Sequence, residues 1–238
     1  MSNLDAAALH SEPAASTEPG SLGRRILDTF FAPGELFARF GATPPWVDVL
    51  LISAVLATLA MALIPGEVLL NMAREAIAQM EPAQRRAMKP ETMANISRYT
   101  GPIGVFIGTF LSAFLLAGVL KLVFGVMMKG EATFAQYRAV MSHAALISAL
   151  GTLATLPVWI MTGDMTTQLS AALLAPDLPK GLVSTLLASL NVFYIWWLAV
   201  VAVGVSVVNR RISVVTAGAG IFGIYFAIAA VAGLFAGG

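Results

Sequence analysis

Five times along the chain, hydrophobic positions run on for about 20 residues without an interior charge, the length a helix needs to cross a hydrocarbon core of about 30 Å. The runs fall at residues 46–65, 103–128, 139–163, 182–208 and 212–236. The second is interrupted by Lys121, and the third holds Pro157 near its end, where a kink or the helix terminus is expected. Thr43-Pro44-Pro45 precedes the first run, with Asp48 in its opening turn, where a carboxylate favours the helix dipole. Thr100-Gly101-Pro102 precedes the second. Only Asn209, Arg210 and Arg211 separate the fourth run from the fifth, which forces a tight antiparallel hairpin. The pattern predicts an all-α fold, an integral membrane helical bundle with about five transmembrane helices over residues 46–236.

Outside the runs the pattern changes character. Residues 1–23 are small, polar and acidic and read as a disordered cytoplasmic tail, with no basic stretch leading into an apolar run as a signal peptide requires. Residues 24–45 mix Ile26, Leu27, Phe30, Phe31, Leu36, Phe37 and Phe40 with Arg24, Arg25 and Arg39. This predicts an interfacial amphipathic segment broken at Pro33-Gly34, either a juxtamembrane anchor or a docking site for a partner. Over residues 66–100, Leu69, Met72, Ala73, Ala76 and Met80 recur at helical spacing, and Pro82 and Pro90 each stand where a new helix can start. A small helical cap outside the membrane is expected there.

Composition narrows the function classes. Of 238 residues 58% are hydrophobic and 11% charged, and the formal net charge is +1, so there is no basic face for nucleic acid and too little polar surface for a soluble enzyme. Cysteine is absent, which removes disulfides, thiolate nucleophiles and cysteine metal sites. The placement of Lys and Arg favours a cytoplasmic N-terminus and a C-terminus on the opposite side: Arg24, Arg25, Arg39, Lys121, Lys129, Arg138, Arg210 and Arg211 then share the cytoplasmic side. The basic residues of the 66–100 loop are interspersed with glutamates and bear less on orientation.

Three segments carry a family resemblance. Lys121 to Gly125, followed by Gly130 through Phe134 and Tyr137 to Arg138, leads into an Ala/Ser-rich run; Leu190-Asn191 and Phe193 to Trp196 run on to Gly204-Val205; and Phe30-Phe31-Ala32-Pro33-Gly34-Glu35-Leu36-Phe37 precedes the first run. In order and spacing these resemble the prokaryotic-type branch of the Ypt/Rab-interacting protein (Yip) family, over roughly residues 28 to 236. The resemblance implies a five-helix integral membrane protein with a cytoplasmic N-terminus, in a bacterial inner membrane. It also implies work through partners, since eukaryotic members bind Rab-type GTPases, pair with sister proteins and act in vesicle formation and bilayer shaping. The chain departs from them in its very short N-terminal tail, which argues against Rab-type GTPase binding.

Few side chains within the runs carry chemistry. Lys121 either snorkels from a helix end to the headgroups or lines a cavity, and together with Lys129 and Arg138 it is a candidate contact for an anionic lipid headgroup. His143 is a candidate for structural hydrogen bonding or proton relay, and Asn191 for an interhelical hydrogen bond worth about 0.6–2 kcal/mol or for substrate coordination. Small residues form two stripes, Gly104, Gly108 and Ser112 in the second run and Ala219, Gly223 and Ala227 in the fifth. Such stripes let a neighbouring helix approach closely, within the bundle or across a dimer interface. Asn95-Ile96-Ser97 fits a glycosylation acceptor, a short pattern common by chance. No phosphate-binding loop, zinc-protease motif, serine-hydrolase elbow or intramembrane aspartate pair occurs, and His10 and His143 alone do not make a metal site, so neither a cofactor nor a metal is expected. The favoured function is a non-enzymatic scaffold, partner-binding or bilayer-shaping protein, with membrane lipids and a membrane-protein partner or a second copy as its contacts. The alternative is a translocator of a small solute, ion or lipid that uses Lys121, His143 and Asn191; a membrane-embedded enzyme ranks last.

Overall fold

The computed structural model describes residues 19–236, so nearly all of the expected tail, His10 included, lies outside the described residues. Ten α-helices follow in order: α1 (Leu22–Phe31), α2 (Pro33–Ala38), α3 (Val47–Ala62), α4 (Gly66–Ala78), α5 (Pro82–Ala87), α6 (Pro90–Leu120), α7 (Phe134–Thr162), α8 (Leu182–Ser189), α9 (Val192–Val208) and α10 (Val214–Phe235). A π-helical stretch, Lys121–Met127, extends α6 without a break, and the described residues contain no strand.

By length and composition α6 with its extension, α7 and α10 can each cross a bilayer alone. The helix α3, 16 residues long, reaches only about 24 Å at about 1.5 Å per residue and passes as a candidate span together with α4, from which it is bent by 82°. The bend follows Leu63 and Ile64 at Pro65, which cannot continue a helix through its missing N–H. The expected fourth span over 182–208 is corrected: it is two helices, α8 and the 17-residue α9, parted at Leu190-Asn191. The described residues thus form an all-α bundle with three helices that can span alone and a fourth candidate in the bent pair α3 and α4, while α9, at 17 residues, is a shorter apolar helix.

The centre is α7. Within its apolar window 44% of positions are buried, against 17% for α6 and for α10. It packs against α3, α6 and α9, while α10 lies on α9 and α8, and α4 folds back on α6. Small residues allow this approach: a Cβ at Gly151 would sit 2.8 Å from the Phe193 Cβ, and one at Gly204 would sit 2.5 Å from a Val140 methyl. The main core joins Leu36, Phe37, Leu50, Phe124, Tyr137, Val140, Ile147 and Val201; a smaller one, with Ile64, Val68, Ala94, Leu156 and Trp159, closes the other end beneath α4. The expected cap over 66–100 is α4, α5 and the first turns of α6, which rises out of it as one continuous helix.

The two small-residue stripes do not pack inside the chain. Gly104, Ser112, Ala219, Gly223 and Ala227 are exposed and Gly108 is half-exposed, with nothing within 4 Å of a Cβ built at Gly104, Gly108 or Gly223. The buried faces of the same helices run instead through Ala113 and Ala117 on α6 and Ala217 and Ile221 on α10. Within-chain packing of the stripes is therefore corrected, because the larger neighbours Leu120, Phe124 and Ile221 carry the apolar contact area.

Candidate functional site: a polar plate at one end of the bundle

Leu190-Asn191 stands at one end of the bundle, while residues 30–37, residues 121–138 and Gly204-Val205 meet at the other. There α1 and α2 fold over the start of α3, the turn between α6 and α7 meets the turn between α9 and α10, and buried polar groups tie the parts together.

The N-terminal segment is built into the bundle. Ser21 caps α1 by accepting from the Arg24 N–H, and Pro33 starts α2 at the position where its missing N–H costs nothing. Leu36 and Phe37 are fully buried, with Phe37 and Phe40 set edge-on or tilted against the His143 ring. Phe30 meets Trp196 edge to face at 5.5 Å. Arg25, only 4% exposed, forks onto the Asp48 carboxylate, with Nη1 at 3.2 Å from Oδ1 and Nη2 on Oδ2. Asp28 accepts from Arg39 and lies 3.4 Å from Arg24, which ties α1 to α2. A segment expected at the membrane interface is thus held by a half-buried ion pair and by phenylalanines reaching the core.

The second tie is the turn after α6. Lys129 adopts a left-handed conformation (φ 55), and the chain reverses so that the Gly130 N–H donates to the Phe124 carbonyl at 2.8 Å. A Cβ at Gly130 would overlap both that carbonyl and the Asn209 side-chain oxygen, so only glycine fits. Thr133 and Gln136 form a reciprocal capping box that starts α7. Asn209, fully buried, accepts from the Ala132 N–H at 3.1 Å and the Tyr137 hydroxyl at 3.0 Å, and donates to the Val205 carbonyl at 2.7 Å. Glu131 and Arg211 add an exposed ion pair at 2.7 Å.

The three cations proposed to hold one lipid phosphate have different occupations. The Lys121 ammonium donates to the Ala132 carbonyl at 2.9 Å, and the Arg138 guanidinium lies 4.2 Å above the Trp46 ring and 5.5 Å from that of Phe114. Lys129 is exposed. Nor do Lys121, His143 and Asn191 share a path. The His143 Nδ1–H donates to the Ala139 carbonyl at 2.8 Å within its own helix, leaving the buried Nε2 without a partner. Asn191 sits at the opposite end, not inside a span: it caps α9, accepting from the Phe193 and Tyr194 N–H groups, and donates to Gln168 at 3.4 Å. The interhelical hydrogen bond expected of Asn191 is therefore replaced by a cap, because the chain breaks at that residue.

Sequence reasoning missed the Arg25–Asp48 and Tyr137–Asn209 pairs. Asn209 carried a signal, since it is the one uncharged polar residue in a three-residue turn between two apolar runs. Among the described residues no group of His, Asp or Glu is placed to hold a metal ion.

The fold and the plate define a helical integral membrane protein whose turns and N-terminal segment are locked together at one end. The Yip1 domain matches residues 27–236, nearly the whole chain. The protein belongs to the Yip1 family. No curated protein and no solved structure matches it.

Proposed function

We propose that the protein is a non-enzymatic scaffold of the membrane, working by association of its helices with a second copy or with a membrane-protein partner. The observation that carries this reading is where five of the polar residues at the turns and helix ends go. Arg25, Lys121, Tyr137, Asn191 and Asn209 all bond to the chain itself, closing turns and helix ends, and none directs a titratable group into a cavity. Meanwhile the outer faces of α6 and α10 keep Gly104, Gly108, Gly223 and Ala227 uncovered, where a neighbouring backbone can approach closely.

Orientation belongs to the same proposal. Arg24, Lys129, Arg210 and Arg211 are exposed at the plate end, and by the positive-inside rule they favour a cytoplasmic plate end, with the far end of α10 across a bacterial inner membrane. Rab-type GTPase binding is not part of the reading. Affinity purification from native membranes in mild detergent, with crosslinking, tests it: a dimer or a stable membrane partner is expected, and a strictly monomeric, partner-free protein overturns it.

A further inference from the structure

A groove runs along α7 on the side away from α1 and α2. Its middle, about 500 Å³, has α7 with Ser53 and Ala57 of α3 as its floor, α6 as one wall and α9 with α10 as the other. Toward the end opposite the plate it continues into a smaller cavity of about 120 Å³, with which it shares Ser148, Thr152 and Tyr194. Toward the plate it continues into one of about 170 Å³ that shares Leu116, Met141, Trp197 and Tyr225. From Met141 to Thr155 the floor rises about 21 Å at about 1.5 Å per residue, two thirds of a hydrocarbon core of about 30 Å.

Polarity grades along this path. The plate-side part is lined by Val123, Phe124, Val201, Ile221 and Ile224, purely apolar apart from the Tyr225 hydroxyl, which is occupied by the Ser189 carbonyl at 2.8 Å. The middle adds Thr109, Ser112, Ser148, Thr152 and Tyr194. Thr109, Ser112 and Thr152 donate their protons to carbonyls of their own helices, so their lone pairs remain for a ligand donor. The Ser148 and Tyr194 hydroxyls make no hydrogen bond among the described residues, and at the far end Gln168 joins them, with its oxygen already taken by Asn191 and its amide N–H groups left to donate. None of the described residues lining the three parts is charged.

We propose that the groove is a binding site for one uncharged glycerolipid of the diacylglycerol type, entering sideways from the bilayer. Its ester and hydroxyl groups lie between Ser148, Thr152 and Gln168, and an acyl chain lies against Met141, Leu116 and Phe124. The volume falls within the roughly 300–1,000 Å³ of small-molecule sites, and the alternation of donors and acceptors at one end suits a head that offers both. A phosphate there would have no cation to meet, and burying it unpaired costs several kcal/mol or more, so charged headgroups are selected against. The site does not depend on self-association, and the two readings fail separately.

The test reconstitutes the full chain in phosphatidylcholine vesicles doped with a photoactivatable diacylglycerol, with a phosphatidic acid probe of the same chains in parallel. Diacylglycerol is expected to label residues 141–155 and 194–197 at least fivefold more than phosphatidic acid, and unlabelled diacylglycerol to compete. Ala145→Phe, which fills the groove, is expected to cut labelling at least tenfold; the paired Ser148→Ala and Thr152→Val, which keep its shape, about threefold; Leu59→Phe, on the exposed face of α3 away from the groove, is expected to leave it unchanged. Equal labelling by the two probes overturns the proposal, as does full labelling of a folded Ala145→Phe protein. Should that variant not fold, undiminished labelling of the Ser148→Ala and Thr152→Val protein overturns it.

Discussion

The Tyr137 hydroxyl donates to the Asn209 side-chain oxygen at 3.0 Å, joining the first turn of α7 to the last residue of the α9 segment across 72 positions of sequence. The same oxygen receives the Ala132 N–H, so one carboxamide holds both the turn between α6 and α7 and the first turn of α7. Removing the two ends of this bond is not equivalent. Tyr137→Phe deletes one donor and leaves Asn209 bonded to Ala132, a loss of about 1 kcal/mol. Asn209→Ala strands a buried N–H and a buried hydroxyl, at about 1–3 kcal/mol each. Thermal unfolding in detergent should rank Asn209→Ala well below Tyr137→Phe. In a double-mutant cycle Tyr137→Phe should cost markedly less once Asn209 is gone, and additive losses would show that the bond carries no coupling.

That pair marks the limit of what the sequence reveals. Apolar runs locate the helices because lipid demands length and lack of charge, both one-dimensional properties, but they do not show the 82° bend at Pro65 that ends α3. The break at Asn191 was hidden by averaging, since Leu190 and Val192 on either side keep the run apolar while the Asn side chain ends one helix and caps the next. Stripes of small residues are visible in the sequence but their direction is not: periodicity says that Gly104 and Gly108 share a face, and only the positions of α3 and α7 say that the face is outward. Ion pairs such as Arg25 with Asp48 are set by how α1 folds back, which no local pattern encodes.

The turn at Lys129 and Gly130 gives opposite effects at adjacent residues. Lys129 holds a positive φ that costs a side-chain-bearing residue about 1–2 kcal/mol, and glycine removes that cost. Lys129→Gly is therefore expected to raise the melting temperature, less the greater freedom it gives the unfolded chain. Gly130→Ala forces a Cβ onto the Phe124 carbonyl and Asn209 and is expected to lower it by more than the first change raises it. A destabilised Lys129→Gly protein would contradict the left-handed turn.

Arg25 and Asp48 should behave as one unit. Arg25→Met leaves the half-exposed Asp48 carboxylate without its partner, a loss of about 1 kcal/mol, whereas Asp48→Leu strands the buried guanidinium, at about 3–5 kcal/mol. Asp48 is less enclosed than Arg25, so Asp48→Leu is expected to cost more than Arg25→Met. The double variant removes both charges and should recover most of the loss, since apolar replacements of buried ion pairs are often neutral. Protease sensitivity of α1 and α2, measured beside global unfolding, tells whether the segment detaches first. Equal losses in single and double variants would refute the pairing.

Asp164, in the loop after α7, supplies a pH dependence outside the membrane. Burial raises its pKa, but acceptance from the Thr166 N–H at 2.7 Å and from the Thr166 and Thr167 hydroxyls at 2.8 and 3.1 Å outweighs it, so the carboxyl titrates below the ordinary 3.8. A lowered folded-state pKa means stability that is present above 3.8 and lost as pH falls through the folded value. Asp164→Asn should thus be less stable than the parent at pH 6, and the gap should close as pH falls below 3.8. The loop can be followed by Trp159 emission, because the indole N–H donates to the Thr167 carbonyl at 2.8 Å. A gap independent of pH would mean that the loop is held by something other than the ionised carboxylate.

Gly204 and Gly223 separate packing inside the chain from packing between chains. On α9, a Cβ at Gly204 would lie 2.5 Å from Val140 and 3.0 Å from the Phe37 ring, so Gly204→Ala must push α9 away from both α7 and α2. Its cost is expected at about 1–3 kcal/mol, the range for overpacking, with α2 loosened first because it is the smallest of the three parts. On α10 nothing lies within 4 Å of the corresponding position at Gly223. Gly223→Leu should leave the melting temperature of the monomer within experimental error or slightly higher, since glycine is the poorer helix former by about 1 kcal/mol. If the stripe of Ala219, Gly223 and Ala227 is an association surface, the same change should sharply weaken crosslinking between copies or to a partner in native membranes, because leucine prevents close approach of a second backbone. Unchanged crosslinking would move the association surface elsewhere on the bundle, while the contrast in stability between the two glycines would stand by itself.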